Sequence, residues 1–167
     1  MMKYSYAVLL LFSAFILQCS FLNLISVLGT TPNLLLCLVV IFSFLYDDKN
    51  YGIILGVVFG LLYDICYMQF VGISSLGYLI IGLFVIVARE LLNRENIASA
   101  LIITALSTLI YNVFVWIMYA ILDSNYGFLY MLKFQPGYII YNIVVVAILY
   151  VCAISRVVKH RRDRFYR

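Results

Sequence analysis

The sequence predicts an all-α integral membrane protein, a six-transmembrane-helix bundle, and three observations predict it. The first is composition: the chain is 66% hydrophobic and 11% charged, with a mean hydropathy of +1.11. Soluble domains carry roughly a quarter charged residues, so there is too little polar surface here to face water, and bilayer is the remaining solvent. The second is spacing. The apolar residues fall into runs separated by short polar breaks; crossing ~30 Å of hydrocarbon takes about 20 residues, which lets 167 residues hold six or seven spans at most. The third is the placement of the basic residues, developed below. Two prolines and seven acidic residues leave no sign of a linker or a disordered tail. Residues 1–155 are therefore expected to form one transmembrane domain, and 156–167 a basic cytoplasmic tail.

Taken in order, the first segment covers 4–22. Lys3 ahead of an apolar run resembles a secretory leader, but the residues before Cys19 are Ile16, Leu17 and Gln18, where cleavage requires small side chains. A retained helix is expected. The second segment, 32–46, opens at Pro32-Asn33; proline in a first helical turn sacrifices nothing, because that N–H has no helical partner. It ends before Asp47-Asp48-Lys49-Asn50. The third spans 51–67, and the fourth 74–88, closed by Arg89-Glu90. The fifth, 97–122, is the longest and able to tilt. The sixth covers 138–155. Segments two to four are short for complete crossings, which leaves a tilted or re-entrant course open. Residues 123–137 form the longest external connection. Tyr126, Phe128, Tyr130 and Phe134, with few charges, suit a stretch lying in the interface or, alternatively, a docking surface.

Six spans with the N-terminus inside place Lys3, Lys49, Arg89, Arg94, Arg156, Lys159, Arg161, Arg162, Arg164 and Arg167 on the cytoplasmic side. Those are ten of the eleven lysines and arginines, and only Lys133 falls outside. Short loops show this bias as the positive-inside rule. Five spans would put Lys3 and the basic tail on opposite sides. Both termini are therefore expected on the cytoplasmic side of the membrane. The tail is expected to touch anionic lipid at about 1 kcal/mol per charge; no nucleic-acid binding is expected.

The third segment carries Gly52, Gly56, Gly60 and Asp64 at four-residue spacing, a slowly winding stripe on a helix. Glycines at that spacing let a neighbouring backbone approach closely, either within the bundle or against a partner. Asp64 lies about 13 residues, or ~20 Å, above the inner end of its helix. A carboxylate within hydrocarbon is a functional candidate by default; it either faces the bundle or sits in the interface. Its expected role is to order the turn between segments three and four, or to meet a partner chain. Gln18, Thr104, Ser107, Thr108, Asn112 and Asn142 are further polar groups inside the spans. Thr104, Thr108 and Asn112 share one face, which suits hydrogen-bonded glue between helices or, more sharply, a ligand pocket.

Cys19, Cys37, Cys66 and Cys152 show no metal-ligand spacing. Each lies in an apolar run and reads as a small hydrophobe, although Cys19 and Cys66 both fall near the outer face, where a disulfide can form. His160 has no metal-ligand companion. No nucleophile–base pair, carboxylate dyad or phosphate-cradling glycine loop is present. No catalysis and no cofactor or metal is expected.

The order of these features resembles the MreD family of rod shape-determining membrane proteins. It is carried by Leu17-Gln18, Pro32-Asn33-Leu34-Leu35, the run Gly56-x-x-x-Gly60-Leu61-Leu62-Tyr63-Asp64, and the Gly72, Leu76-Gly77-Tyr78 and Gly82 series. The match is densest over 32–82; beyond Asp123 only the layout corresponds. The resemblance implies a non-enzymatic scaffold of the cell-wall elongation complex (the elongasome). Such a scaffold binds an MreC-like bitopic protein and works, indirectly, with MreB, RodA and a class B penicillin-binding transpeptidase to control lateral peptidoglycan synthesis and cell shape. It also implies an architecture similar to the substrate-binding S-components of energy-coupling-factor transporters. Gly56, Gly60 and Asp64 carry over as structural or contact residues. A vitamin-binding S-component or other small transporter is the alternative function. Against it, the paired alanines that dock such subunits are missing: Ala7 and Ala14 are seven apart, with Leu11 and Gln18 at the four-spaced positions.

Overall fold

The computed structural model describes residues 4–20, 29–46, 51–92, 96–122 and 127–165, with side chains over residues 7–152 of these apart from Tyr130. Expectations that fall on Lys3, residues 21–22, residues 47–50, Arg94, residues 123–126 and the side chains of the basic tail lie outside the described residues. The described chain forms six helices: α1 (Tyr4–Ser20), α2 (Leu34–Leu45), α3 (Tyr51–Tyr67), α4 (Ile73–Leu91), α5 (Ile97–Leu122) and α6 (Phe128–Phe165).

The sequence of α2, LLLCLVVIFSFL, has no polar face, and every residue from Leu35 to Leu45 is buried. A helix apolar on all sides belongs at the centre of a bundle. All five other helices pack against α2, and neighbouring pairs among them run α1–α3–α4–α5–α6 around it. Among the described residues α1 and α6 do not approach each other within 8 Å between Cα atoms. The surrounding helices each turn one stripe inward. In α1 the stripe is Ala7, Leu11, Ala14 and Gln18; in α4 it includes Tyr78, Ile81, Val85 and Arg89. Their outer faces carry exposed aliphatic residues such as Ile54, Val58 and Ile65 on α3 and Ile140, Val144 and Ile148 on α6. So much exposed aliphatic surface suits lipid rather than water.

Among the described residues three stretches are long and apolar enough to cross a membrane: Ile73–Leu91, Ile97–Leu122 and Met131–Cys152. The apolar helices at Ala7–Ser20, Leu34–Leu45 and Tyr51–Tyr67 are shorter. With 12 residues, α2 rises only ~18 Å. The chain entering it is irregular from Thr30 to Asn33, and Thr30 and Pro32 are buried there. Irregular backbone within a membrane protein is tolerated where protein covers it. The cover comes from the first turns of α6: Phe134 lies against Gly29, and a Cβ on Gly137 would meet Thr30 Oγ1 at 2.8 Å.

That packing accounts for the main difference from the sequence reading. Residues 128–137, expected in the connection before a helix at 138, are the start of α6, which runs unbroken through Pro136 for 38 residues, or ~57 Å. Proline within a membrane helix is tolerated when neighbouring elements pack around the freed backbone group.

Candidate functional site

The polar side chains inside the bundle gather at helix ends, where backbone groups have no intrahelical partner. At the start of α2, Asn33 is the N-cap in an extended conformation, and its Oδ1 accepts the Leu36 N–H at 3.0 Å. Two other helices cap the same end. Asn142 Oδ1 on α6 accepts the Asn33 N–H at 2.9 Å, and Gln18 Oε1 on α1 accepts the Leu34 N–H at 2.7 Å. The Tyr78 hydroxyl on α4 donates to Asn33 Oδ1 at 3.0 Å. From α5, Thr108 Oγ1 accepts from Asn142 Nδ2 at 3.0 Å, while its own hydroxyl donates back to Thr104 O at 2.8 Å. One turn further along α5, Asn112 Nδ2 donates to Gln135 Oε1 on α6 at 2.9 Å. One network thus joins α1, α2, α4, α5 and α6.

A second cluster closes the start of α4. Asp64 is fully buried. Its Oδ2 accepts backbone N–H groups from Gly72 (2.9 Å), Ser74 (2.9 Å) and Ser75 (3.2 Å). The N-cap residue, Gly72, sits at φ +105° and offers no side-chain cap. Glycine takes that left-handed conformation without strain, and Asp64 supplies the missing acceptor from the neighbouring helix. Three N–H donors and the positive end of α4 compensate the carboxylate's charge. Of the two positions the sequence left open for Asp64, the structure shows the buried one. The clusters communicate, since the Tyr111 hydroxyl donates to Ser74 Oγ at 3.2 Å and Tyr111 stacks on Tyr78 at 5.2 Å and 13°.

At the opposite end Arg89 plays the complementary part. It is buried, and Nη1 donates to Ser43 O at 2.8 Å and Tyr46 O at 2.9 Å. Those are carbonyls at the end of α2, where a cation also meets the negative end of the helix.

The glycine stripe lies between these two charges. A Cβ on Gly52 would collide with Ser43 of α2; on Gly56 it would meet Val39 Cγ2 at 2.8 Å; on Gly60 it would meet Tyr78 Cδ2 at 2.7 Å and Ser75 Cα at 2.9 Å. The stripe is therefore a close-packed seam of α3 on α2 and α4. Of the sequence-predicted residues, Gln18, Pro32, Asn33 and Asn142 come together at the start of α2, and Asn112 lies on the adjoining turn. Gly52, Gly56, Gly60 and Asp64 line the seam beside it. Sequence reasoning assigned no role in this network to Tyr78, Tyr111 or Gln135, and read Arg89 as a loop charge. The signal for Arg89 is a cation at the end of an otherwise apolar run.

Most of these groups hold helix ends. Cys19, Cys37, Cys66 and Cys152 are free thiols, and among the described residues no three His, Cys, Asp or Glu side chains gather as a metal-ligand set. A bundle with this hydropathy, lipid-suited outer faces and its polar groups turned inward is a helical membrane protein. The family model of the rod shape-determining protein MreD matches residues 2–155. The chain belongs to the MreD family, and so to the rod shape-determining membrane proteins. Comparison with curated proteins and with solved structures gives no match.

Proposed function

We propose that this protein is a non-enzymatic scaffold of the cell-wall elongation complex. It crosses the cytoplasmic membrane six times with both termini inside and binds an MreC-like bitopic partner. Through that partner it shares a complex with MreB, RodA and a class B penicillin-binding transpeptidase, and so helps control lateral peptidoglycan synthesis. Its basic tail meets anionic lipid. The observation that carries this reading is the family match over nearly the whole chain. The interior supports it: Gln18, Asn33, Asp64, Asn142 and Arg89 are engaged with backbone groups of this same chain. The transporter alternative gains no such support, because Ala7 and Ala14 of α1 are buried against the bundle rather than offered to a coupling subunit.

The test is to purify the tagged protein from its native membrane and identify what accompanies it. An MreC-like protein at stoichiometric yield is the expected result. Recovery of paired ATPases with a membrane coupling subunit would overturn the scaffold in favour of transport.

A further inference from the structure

Cys19 and Cys66 lie near the ends of α1 and α3, two helices that pack against each other. The Tyr67 hydroxyl donates to the Cys19 carbonyl oxygen at 3.0 Å. Tyr67 in turn stacks on Tyr63 at 5.8 Å and 13°, and Tyr63 lies beside Gln18. Residues 18–19 of α1 therefore stand level with 63–67 of α3. The helical phase agrees. At 100° per residue, Cys66 falls within about 20° of Leu55 and Phe59, both of which are buried. The other neighbours of α3, α2 and α4, occupy the side of Gly52, Gly56, Gly60 and Asp64. That leaves α1 to cover the stripe on which Cys66 lies. Cys19 follows Phe15, which packs on the core, by one turn. Cys66 is exposed and Cys19 partly so.

We propose that Cys19 and Cys66 form a reversible disulfide that clamps α1 to α3 at one end of the bundle. It rests on the topology above, which puts this end on the outer face, within reach of an external disulfide oxidant. The exchange balances in two steps. The Cys66 thiolate attacks one sulfur of the oxidant's disulfide and releases one oxidant thiol. The Cys19 thiolate then attacks Cys66 in the mixed disulfide and releases the second. The two protons lost by Cys19 and Cys66 end, by way of water, on the two released oxidant thiols, and the oxidant takes up the electron pair. Cys66 goes first because it is the more exposed. The other two cysteines stand apart: Cys37 is buried, with its thiol on Asn142 O at 3.7 Å, and Cys152 lies towards the other end of α6. The clamp has a consequence for the α2 cap. Gln18, adjacent to Cys19, accepts the Leu34 N–H, and among the described residues α1 and α6 do not come within 8 Å between Cα atoms.

The experiment uses the full-length protein in intact cells and in isolated membranes. Cells are treated with a membrane-impermeant maleimide before or after exposure to glutathione disulfide, and the denatured protein is digested for peptide mass analysis. The expected result is that maleimide labels Cys66 from outside in reduced cells. Oxidation should then abolish labelling at Cys19 and Cys66, leave Cys37 and Cys152 free to be alkylated after denaturation, and yield a peptide pair joined through residues 19 and 66. Cys66→Ser should restore the free Cys19 thiol. Labelling of Cys66 from outside with no joined peptide, or with a Cys66–Cys66 link between two copies, would overturn the pairing. Labelling only after the membrane is opened would overturn the proposal together with the outer-face reading, and the two failures are thereby told apart.

Discussion

Asp64 and Arg89 are buried charges near opposite ends of the bundle, and each closes the end of a helix other than its own. Asp64 on α3 caps the start of α4, and Arg89 on α4 caps the end of α2. They differ in what depends on them. One carboxylate oxygen answers three N–H donors, each of which has a single hydrogen to place. Arg89 meets two carbonyls, each with a second lone pair. The end of the bundle at Asp64 is also tied to the network around Asn33 through Tyr111, which bonds Ser74 and stacks on Tyr78, whereas Arg89 reaches the end of α2 beside Tyr51, whose ring packs on Phe42. The comparison predicts that α4 depends on its cap more than α2 depends on its distal one.

Asp64→Ala carries the largest expected effect. It orphans three N–H groups in a buried setting, where one unsatisfied group costs about 1–3 kcal/mol. A loss of about 3 kcal/mol is expected, read as a large drop in the thermal unfolding midpoint of the purified protein in detergent. Asp64→Asn keeps an acceptor oxygen and should lose roughly a third of that. An Asn variant as unstable as the Ala variant would show that charge at the helix start, rather than hydrogen bonding, holds the turn. Arg89→Ala should come second, at about 2 kcal/mol, and Arg89→Lys should recover only part of it, because one ammonium lacks the planar fork of guanidinium. If Arg89→Ala proved the more damaging of the two alanine variants, the ranking of the two ends would be reversed.

The seam between the two charges gives the third test. Gly60→Ala puts a methyl group on both Tyr78 and the backbone of Ser75, so relief requires α4 to move. Gly56→Ala meets chiefly the Val39 side chain, which can turn. Overpacking costs about 1–3 kcal/mol, with Gly60 expected at the upper end and Gly56 at the lower. Equal losses would mean that α3 and α4 separate as easily as a side chain rotates.

How much of this was legible in the sequence depended on whether a signal was local. The apolar runs and the opening of the second segment near Pro32-Asn33 could be read, because hydropathy and helix-start preferences act over a few residues. The structure moves that start to Leu34, with Asn33 as the cap and Pro32 ahead of it rather than in the first turn. The start of α6 could not be read. Pro136-Gly137 looks locally like a break, and what keeps it helical is packing against residues 29–30, more than a hundred positions earlier. The site divides in the same way. Gln18, Asp64, Asn112 and Asn142 stood out as polar residues in apolar runs. Their partners did not, since the bonds joining Asn142 to Asn33 and Tyr78 to Asn33 span 109 and 45 positions. Arg89 was misread because an arginine ending an apolar run has the same appearance whether it faces water or turns back onto another helix.

The smallest expected effect tests the network itself. Asn33→Ala removes the acceptor for the Leu36 N–H and the Tyr78 hydroxyl. It keeps the Asn33 and Leu34 N–H groups that Asn142 and Gln18 accept, since those donors are backbone. With two caps of three remaining, the loss should be that of an ordinary N-cap, about 1 kcal/mol. Gln18→Ala alone should cost a similar amount by releasing the Leu34 N–H. The double variant decides between two descriptions of the end of α2. If the three helices cap it independently, the two losses add to within about 0.5 kcal/mol. If α1 is seated on α2 through the geometry that Asn33 imposes, the second substitution costs less than the first, because the Gln18 bond is already weakened. The cooperative outcome is expected, since the Leu34 N–H that Gln18 receives is positioned by the turn that Asn33 caps.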